Sequence, residues 1–302
     1  MEDKKVTSKD SRISFKESTS TITDDYYLKG KYEECVPILW ERMANGYRII
    51  DMCSDRFNEA LTLINKHFFR LEPLCEAFEL LSDVASSTSY SQFILDKMTN
   101  GNSLCVIQDG TGRLIGVAIA DVDFKDQWQI DDRVKSFPGE LFSRVIKLKQ
   151  DVFFKVDIKE KLKIDKYLHI YAVCVEPSHQ RNGIGTALIN CCVHQAQSLF
   201  LPACVGLFSS SISQRIARRL EFETIHEISC EHYINHESEG TALKKVAGHN
   251  SIMLGARTIE LLERASPFNF SESWKKETKE ETQVENTGKR NSVEKKGRRS
   301  KK

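Results

Sequence analysis

Val173-Cys174-Val175-Glu176-Pro177-Ser178-His179-Gln180-Arg181-Asn182-Gly183-Ile184-Gly185-Thr186-Ala187-Leu188 is the stretch whose reading decides the fold. Residues Tyr167 to Val175 are rich in Tyr, Ile and Val, which suit a pleated, half-buried surface and predict a strand. Glu176-Pro177-Ser178 ends it, because proline has no N–H to give to a ladder. From Ile184 the apolar residues Ile184, Ala187, Leu188 and Cys191 recur at helical spacing. Gly183 and Gly185 therefore fall at a helix N-terminus. There the unpaired N–H groups and the helix dipole favour an anion, and a residue without Cβ lets a phosphate approach the main chain.

The phosphate ligand is narrowed by what is missing. A Walker loop requires Gly-Lys-Ser/Thr, and no lysine follows these glycines. A dinucleotide fingerprint requires a third glycine, where Leu188 stands. Gln180-Arg181-Asn182-Gly183-Ile184-Gly185 instead resembles the Gln/Arg-x-x-Gly-x-Gly/Ala loop of the GNAT superfamily of N-acetyltransferases. The resemblance implies that amides from Arg181 to Thr186 hold the pyrophosphate of acetyl-CoA, with Val173, Cys174 and Val175 beside the pantetheine arm. An ordinary strand-to-helix turn is the plain alternative.

The chain has 302 residues, 40% of them apolar, so it can bury a substantial core in one large or two small domains. A formal net charge of +1 argues against wholesale nucleic-acid binding. No apolar run approaches the roughly eighteen residues of a membrane span, and Met1-Glu2-Asp3-Lys4-Lys5 lacks the apolar core of a secretory signal. The nine cysteines contain no Cys-x-x-Cys pair, which predicts a reduced, cytoplasmic chain without zinc. The basic end, Lys295-Lys296-Gly297-Arg298-Arg299-Ser300-Lys301-Lys302, leaves nuclear import open.

Residues 1–34 are polar and aperiodic and are expected to be disordered, as is the polar, basic tail 266–302. Between them, 35–265, a first strand is expected at Gly46–Met52, then helical runs over Asn58–Phe69, Leu74–Leu81 and Tyr90–Met98. A hairpin follows, Ser103–Gln108 and Arg113–Asp121, turning on Asp109-Gly110-Thr111-Gly112. Residues 123–165 are charged and partly helical around Leu141–Phe154. After the opening unit come a strand at Ala203–Phe208, a helix at Ser211–Leu220, and strands at Glu223–Ser229 and Asn250–Ala256. This order of elements is similar to the GNAT fold: an α/β domain on a mixed, twisted sheet.

A narrower resemblance rests on three segments. Phe68-Phe69-Arg70-Leu71-Glu72-Pro73-Leu74 is similar to a Phe-Phe-x-x-Glu-Pro-Leu stretch of insect-type arylalkylamine N-acetyltransferases. Ser209-Ser210-Ser211-Ile212-Ser213-Gln214-Arg215-Ile216 and Leu220-Glu221-Phe222 resemble their Ser/Thr-Ser-x-x-Ser-Ala-x-Leu and Leu-Gly-Phe. Glu231-His232-Tyr233, the Glu239-Gly240 turn and the strand begun by His249 echo their C-terminal portion. Gln214 and Glu221 depart from the pattern, and Ala217 stands where many acetyltransferases carry a tyrosine acid. The resemblance implies transfer of acetyl from acetyl-CoA to a small primary amine, with no metal. Polyamines, amino acids or protein amino groups as acceptors, and a fold that binds CoA without catalysis, remain open.

Each candidate has a plain reading beside its chemical one. Glu72, beside Phe68, Phe69 and Leu74, is the candidate general base, its carboxylate desolvated toward a higher pKa; it also reads as a helix-start carboxylate near the dipole. Ser209 and Ser213, four residues apart, are expected on one side of a turn, as a relay and a proton donor to the leaving thiolate. Serines are also common helix caps. His169 is the other candidate base, sharing a strand face with Tyr171 by period two, or else a satisfied strand histidine. By the same period Cys174 should face the other way. Direct attack by the amine makes a covalent cysteine step unnecessary, and Cys191-Cys192 reads as packing. The amine, with a pKa of about 10, must lose a proton before it attacks, and β-strand N–H groups can stabilise the oxyanion. Phe68, Phe69, Tyr171 and Trp128 suit an aromatic amine.

Overall fold

The structure, a computed structural model, describes residues 36–124, 137–229 and 251–260. Residues 1–34, Trp128, Glu231-His232-Tyr233, the Glu239-Gly240 turn, His249 and the tail from Ser266 lie outside the described residues. Strands β1 (Leu39–Met43), β2 (Tyr47–Asp51), β3 (Leu104–Gln108), β4 (Leu114–Phe124), β5 (Lys166–Val175), β6 (Ala203–Phe208), β7 (Glu223–Ser229) and β8 (Ser251–Thr258) join in one sheet. Their spatial order is β1-β2-β3-β4-β5-β6-β8-β7. Neighbours are antiparallel throughout, with the exception of the parallel pair β5–β6.

Strand β1 carries no strand signal of its own, since Leu39-Trp40-Glu41-Arg42-Met43 shows no alternation. It is an edge strand tied down by Asp51, whose carboxylate accepts from the Ile38 N–H at 2.9 Å and from Trp40 Nε1 at 2.6 Å. The helical run expected over Asn58–Phe69 begins as α1 (Phe57–Leu63), widens into a π-type turn at Ile64–Phe68 and closes as α2 (Phe69–Leu71). Pro73 then opens α3 (Pro73–Ala77), with Glu72 as its N-cap. Helix α4 (Val84–Met98) starts earlier than its apolar spacing suggests, because Asp83 caps it through the N–H groups of Ala85 and Ser86. Helices α5 (Glu140–Phe154) and α6 (Ile158–Leu162) precede β5; α7 (Ile184–Ser198) and α8 (Ser211–Arg219) follow it.

Two apolar clusters cover the two faces of the sheet. Residues of α1 to α6 pack with Cys105, Val117, Ile119 and Tyr167 on one face. The other carries α7, with Ile184, Leu188 and Cys192, and Ala217 of α8 against Leu104, Ile115, Leu168 and Cys204. No described helix is long and apolar enough to cross a membrane. Cys75, Cys105, Cys174, Cys191, Cys192 and Cys204 are buried free thiols, whereas Cys53 is disulfide-bonded, so the expectation of a wholly reduced chain fails there.

The decisive irregularity is in β5. Ile119 of β4 faces Ala172, but the next residue, Ala120, faces Ile170, leaving Tyr171 as an extra residue in the ladder. This bulge reverses the alternation. Leu168 and Ile170 join the α7 cluster, while beyond the bulge Ala172 and Cys174 join the cluster of α1 to α6. The expectation that Cys174 faces away from the side of His169 and Tyr171 is therefore corrected: simple period-two counting does not survive an inserted residue.

Candidate active site

The pairing of β5 with β6 is confined to Leu168–Cys204, His169–Val205 and Ile170–Gly206, although β5 continues to Val175 and β6 to Phe208. The strands part where the bulge turns β5 aside. Between them opens a cavity of about 540 Å³, walled by residues 170–175, by Leu207–Ser210, by the start of α7 and by the segment around Glu72. Glu176 N–H donates to Ile115 O on the β4 side at 2.8 Å. By strand alternation the main-chain groups of Val173 and Val175 point to the other side, into the opening. Gln180 Nε2 donates to the Val175 carbonyl there, at 3.1 Å.

The turn before α7 is held by its own side chains. Asn182 Nδ2 donates to His179 O at 3.1 Å and Gln180 O at 3.3 Å, and Asn45 Nδ2 donates to Asn182 O at 3.2 Å. The His179 ring is fixed by the Tyr47 hydroxyl at 3.0 Å from Nδ1. Gly183 caps the helix at φ +79°, a left-handed conformation, and offers no side chain to the first-turn N–H groups. A Cβ on Gly185 would meet nothing nearer than Ile216 Cδ1 at 3.8 Å. Packing therefore does not demand glycine inside the first turn of a helix, where it costs about 1 kcal/mol relative to alanine. The open space over Gly185 at a helix N-terminus fits a pyrophosphate, the anionic part of acetyl-CoA. Gln180, Arg181, Gly183, Ile184, Gly185 and Thr186 line the cavity; Asn182, turned back on the loop, does not.

At the wall opposite this turn, two segments far apart in sequence meet. Ser209 Oγ donates to Glu72 Oε1 at 2.7 Å, and the Cys75 N–H donates to Glu72 Oε2 at 2.7 Å. Glu72 is thus both the helix cap of its plain reading and an oriented acceptor, 8% exposed and lining the cavity. Ser213 lines it too, but its hydroxyl is engaged in a capping box. Ser213 Oγ donates to Ser210 O at 2.8 Å and accepts from Ser210 N–H at 3.2 Å, while Ser210 Oγ accepts from Ser213 N–H at 3.1 Å. Ser209 precedes the helix, so the four-residue spacing is not what aligns the two serines.

His169 is 2% exposed and stands away from the cavity lining. Its Nδ1 lies 2.8 Å from Asp123 Oδ2, and the Tyr171 hydroxyl donates to Asp123 Oδ1 at 2.7 Å. Burial and the adjacent Asp123 push the Tyr171 phenol well above its ordinary value. Ala217 is wholly buried in the α7 face cluster, and α8 turns Ile212, Ser213 and Ile216 to the cavity instead. Cys174 lines the cavity, but burial pushes its thiol up to about 12, too high for a thiolate at neutral pH. Phe68 and Tyr171 line the cavity, whereas Phe69 is core, packed on Tyr90 with ring centroids 5.0 Å apart.

Two departures from the resembled pattern are accommodated. Gln214 Nε2 donates to Phe208 O at 3.1 Å and Ser251 O at 2.8 Å, fastening α8 to the ends of β6 and β8. Glu221 adopts φ +61° in the turn, its carboxylate 3.1 Å from Arg257 Nη2. One cavity residue was missed altogether. Lys149 reaches the cavity from α5, with Nζ 2.6 Å from the Tyr90 hydroxyl and over the rings of Phe68 and Tyr90. The helical spacing around it was visible, but nothing local tells which of several lysines on a charged helix turns inward. Among the described residues no group of three His, Cys, Asp or Glu is placed to hold a metal ion.

No curated protein matches the chain in sequence. Among solved structures, it is similar to a putative arylalkylamine N-acetyltransferase 7 of the yellow fever mosquito Aedes aegypti, with TM-score 0.69 and 19% identity over 76% of this chain and 100% of that one. Arylalkylamine N-acetyltransferase 2 of the same mosquito gives TM-score 0.63 and 20% identity over 72% and 100%. The polyamine N-acetyltransferase of Drosophila melanogaster gives 0.58 and 16% over 70% and 100%. At these identities the likeness is one of fold. Residues 73–222 match the model of the acetyltransferase (GNAT) family. Because that match runs from the first residue of α3 through the parting strands β5 and β6 to the turn after α8, the segment 73–222 belongs to the acetyltransferase (GNAT) family.

Proposed function

We propose that the protein is an acetyl-CoA-dependent N-acetyltransferase that acetylates the primary amine of a small aromatic alkylamine by direct attack. The observation that carries this reading is the Ser209–Glu72 pair, set in the wall of a cavity that opens between β5 and β6 and leads to the glycine-bearing start of α7. Acetyl-CoA supplies the activated acetyl group as a thioester. Glu72 takes the proton of the incoming ammonium, and Ser209, donating to Oε1, fixes the carboxylate for that task. Main-chain N–H groups of Val173 and Val175, on the open side of β5, stabilise the oxygen that becomes negative as the N–C bond forms. As the C–S bond breaks, Ser213, released from Ser210 O, or a water gives a proton to the leaving sulfur and takes the second proton that the nitrogen loses as the amide forms.

The cavity lining favours an aromatic amine over a polyamine. Its single carboxylate among the described residues is Glu72, while Lys149 and Arg181 are cationic and Phe68 and Tyr171 offer ring faces. Purified protein incubated with acetyl-CoA and a panel of amines, read out as free CoA, tests the proposal. Absence of CoA release with every amine overturns it. Faster release with polyamines than with aromatic amines overturns the acceptor class.

A further inference from the structure

Glu72 and Lys149, an acidic and a basic side chain, line the same cavity. Yet no ion pair within 4.0 Å joins them. Each is held instead by neutral groups: Glu72 by the Ser209 hydroxyl and the Cys75 N–H, Lys149 by the Tyr90 hydroxyl. Burial works most strongly against the Lys149 charge, and Tyr90, Glu72 and Cys75, in that order, work for it. Burial also pushes the Tyr90 phenol and the Cys75 thiol up, so at neutral pH both are uncharged. Glu72 is then the negative group that favours the lysine cation.

A cation in this position is costly for a plain alkylammonium, which would bring a second positive charge to Glu72. The Lys149 amine has three donors, of which Tyr90 occupies one. An acceptor carrying its own carboxylate a few bonds from the nitrogen would complete both halves, ammonium to Glu72 and carboxylate to Lys149. The apolar faces of Phe68 and Tyr171 would remain for its side chain. Building on the reading of the acceptor as an aromatic alkylamine whose ammonium meets Glu72, we propose that the preferred member of that class is zwitterionic, an aromatic amino acid, and that Lys149 selects it by binding the carboxylate.

The test uses the full chain and matched acceptors, phenylalanine with phenethylamine and tryptophan with tryptamine. Wild type is expected to show a higher kcat/KM for the amino acid of each pair. Charge-assisted hydrogen bonds of this kind discriminate by about 10- to 100-fold, so Lys149→Met should collapse the ratio by that factor, chiefly through KM. Lys149→Arg, which keeps the cation, should retain a preference for the carboxylated member and guards against a folding defect in the methionine variant. A wild-type ratio at or below one, or a ratio unchanged in Lys149→Met, overturns the inference. Should neither acceptor release CoA, the catalytic reading has failed, and calorimetric binding of the same pairs decides the Lys149 inference separately. Tighter binding of the amino acid by wild type than by Lys149→Met supports it; equal binding overturns it.

Discussion

Ser209 Oγ stands 2.7 Å from Glu72 Oε1, a hydrogen bond between residues 137 positions apart in the chain. One partner leaves the end of β6 and the other caps α3, so the contact exists only once α3 is docked on the assembled sheet. Glu72→Gln is expected to lower turnover by about 10²- to 10⁴-fold, the usual contribution of a general base. Ser209→Ala should cost less, since Glu72 keeps the Cys75 N–H at 2.7 Å. Because the two act as one unit, the double variant should be little worse than Glu72→Gln alone. Steady-state CoA release checks the rates, and acetyl-CoA affinity should be unchanged in all three. Additive losses would show that the residues act separately.

Gly185 should separate binding from stability. Its Cβ position is open, with Ile216 Cδ1 at 3.8 Å, and it lies inside the first turn of α7. Gly185→Ala is expected to raise unfolding stability by about 0.5–1 kcal/mol, as removal of a helical glycine does. The same change should weaken CoA binding, because the methyl group stands where the pyrophosphate meets the main chain. Urea unfolding and calorimetric titration with CoA measure the two effects. A more stable variant that binds CoA as well as wild type places the pyrophosphate elsewhere.

Alkaline pH should weaken the fold. Burial raises the Tyr167 phenol, helped by Asp123 and Asp157, and burial pushes the Cys105 and Cys174 thiols up to about 12. These groups are neutral when protonated, and their folded values exceed the ordinary 9.0 for cysteine and 10.0 for tyrosine. Above those ordinary values the unfolded chain binds fewer protons than the folded one, so stability is intact below pH 9 and falls as pH rises beyond it. Each group contributes at most about 1.4 kcal/mol per pH unit to the slope. Urea unfolding at stepped pH should show the decline, and Tyr167→Phe should make it shallower above pH 10. An unchanged slope in that variant would mean that Tyr167 does not titrate across the transition.

What was legible in the chain follows its local signals. The strand–turn–helix from Val173 to Leu188, the Asp109–Gly112 hairpin and the helix ended by Asn100-Gly101 are encoded in proline, glycine and apolar spacing, and all form. The parting of β5 from β6 is not encoded locally: it depends on Tyr171 standing outside the β4 ladder, which reverses the side on which Cys174 lies. Four serines between 209 and 213 can each cap a helix, and spacing alone does not say which of them does. The helix in fact begins at Ser211, which makes Ser210 the N-cap and Ser213 its capping-box partner. Lys149 was beyond reach for a different reason. Its partner Tyr90 is 59 positions away, and a lysine among lysines carries no mark of facing inward.

His169 is expected to matter for stability and not for proton transfer. Its Nδ1 lies 2.8 Å from Asp123, its ring stacks on Tyr171 with centroids 4.0 Å apart and on Phe153 at 4.8 Å, and it does not line the cavity. His169→Ala withdraws one hydrogen-bond partner from the buried Asp123 carboxylate and leaves a void between two rings. Both effects disfavour the fold, together by about 2–4 kcal/mol. His169→Gln, which can still donate to Asp123, should recover part of that loss. Turnover per folded molecule, measured well below each variant's Tm, should stay within a few-fold of wild type from pH 6 to 9. The opposite pattern, in which His169→Ala folds normally yet loses turnover while Glu72→Gln keeps it, would move the base from the cavity wall to β5. It would also require the amine to reach His169, which does not line the cavity.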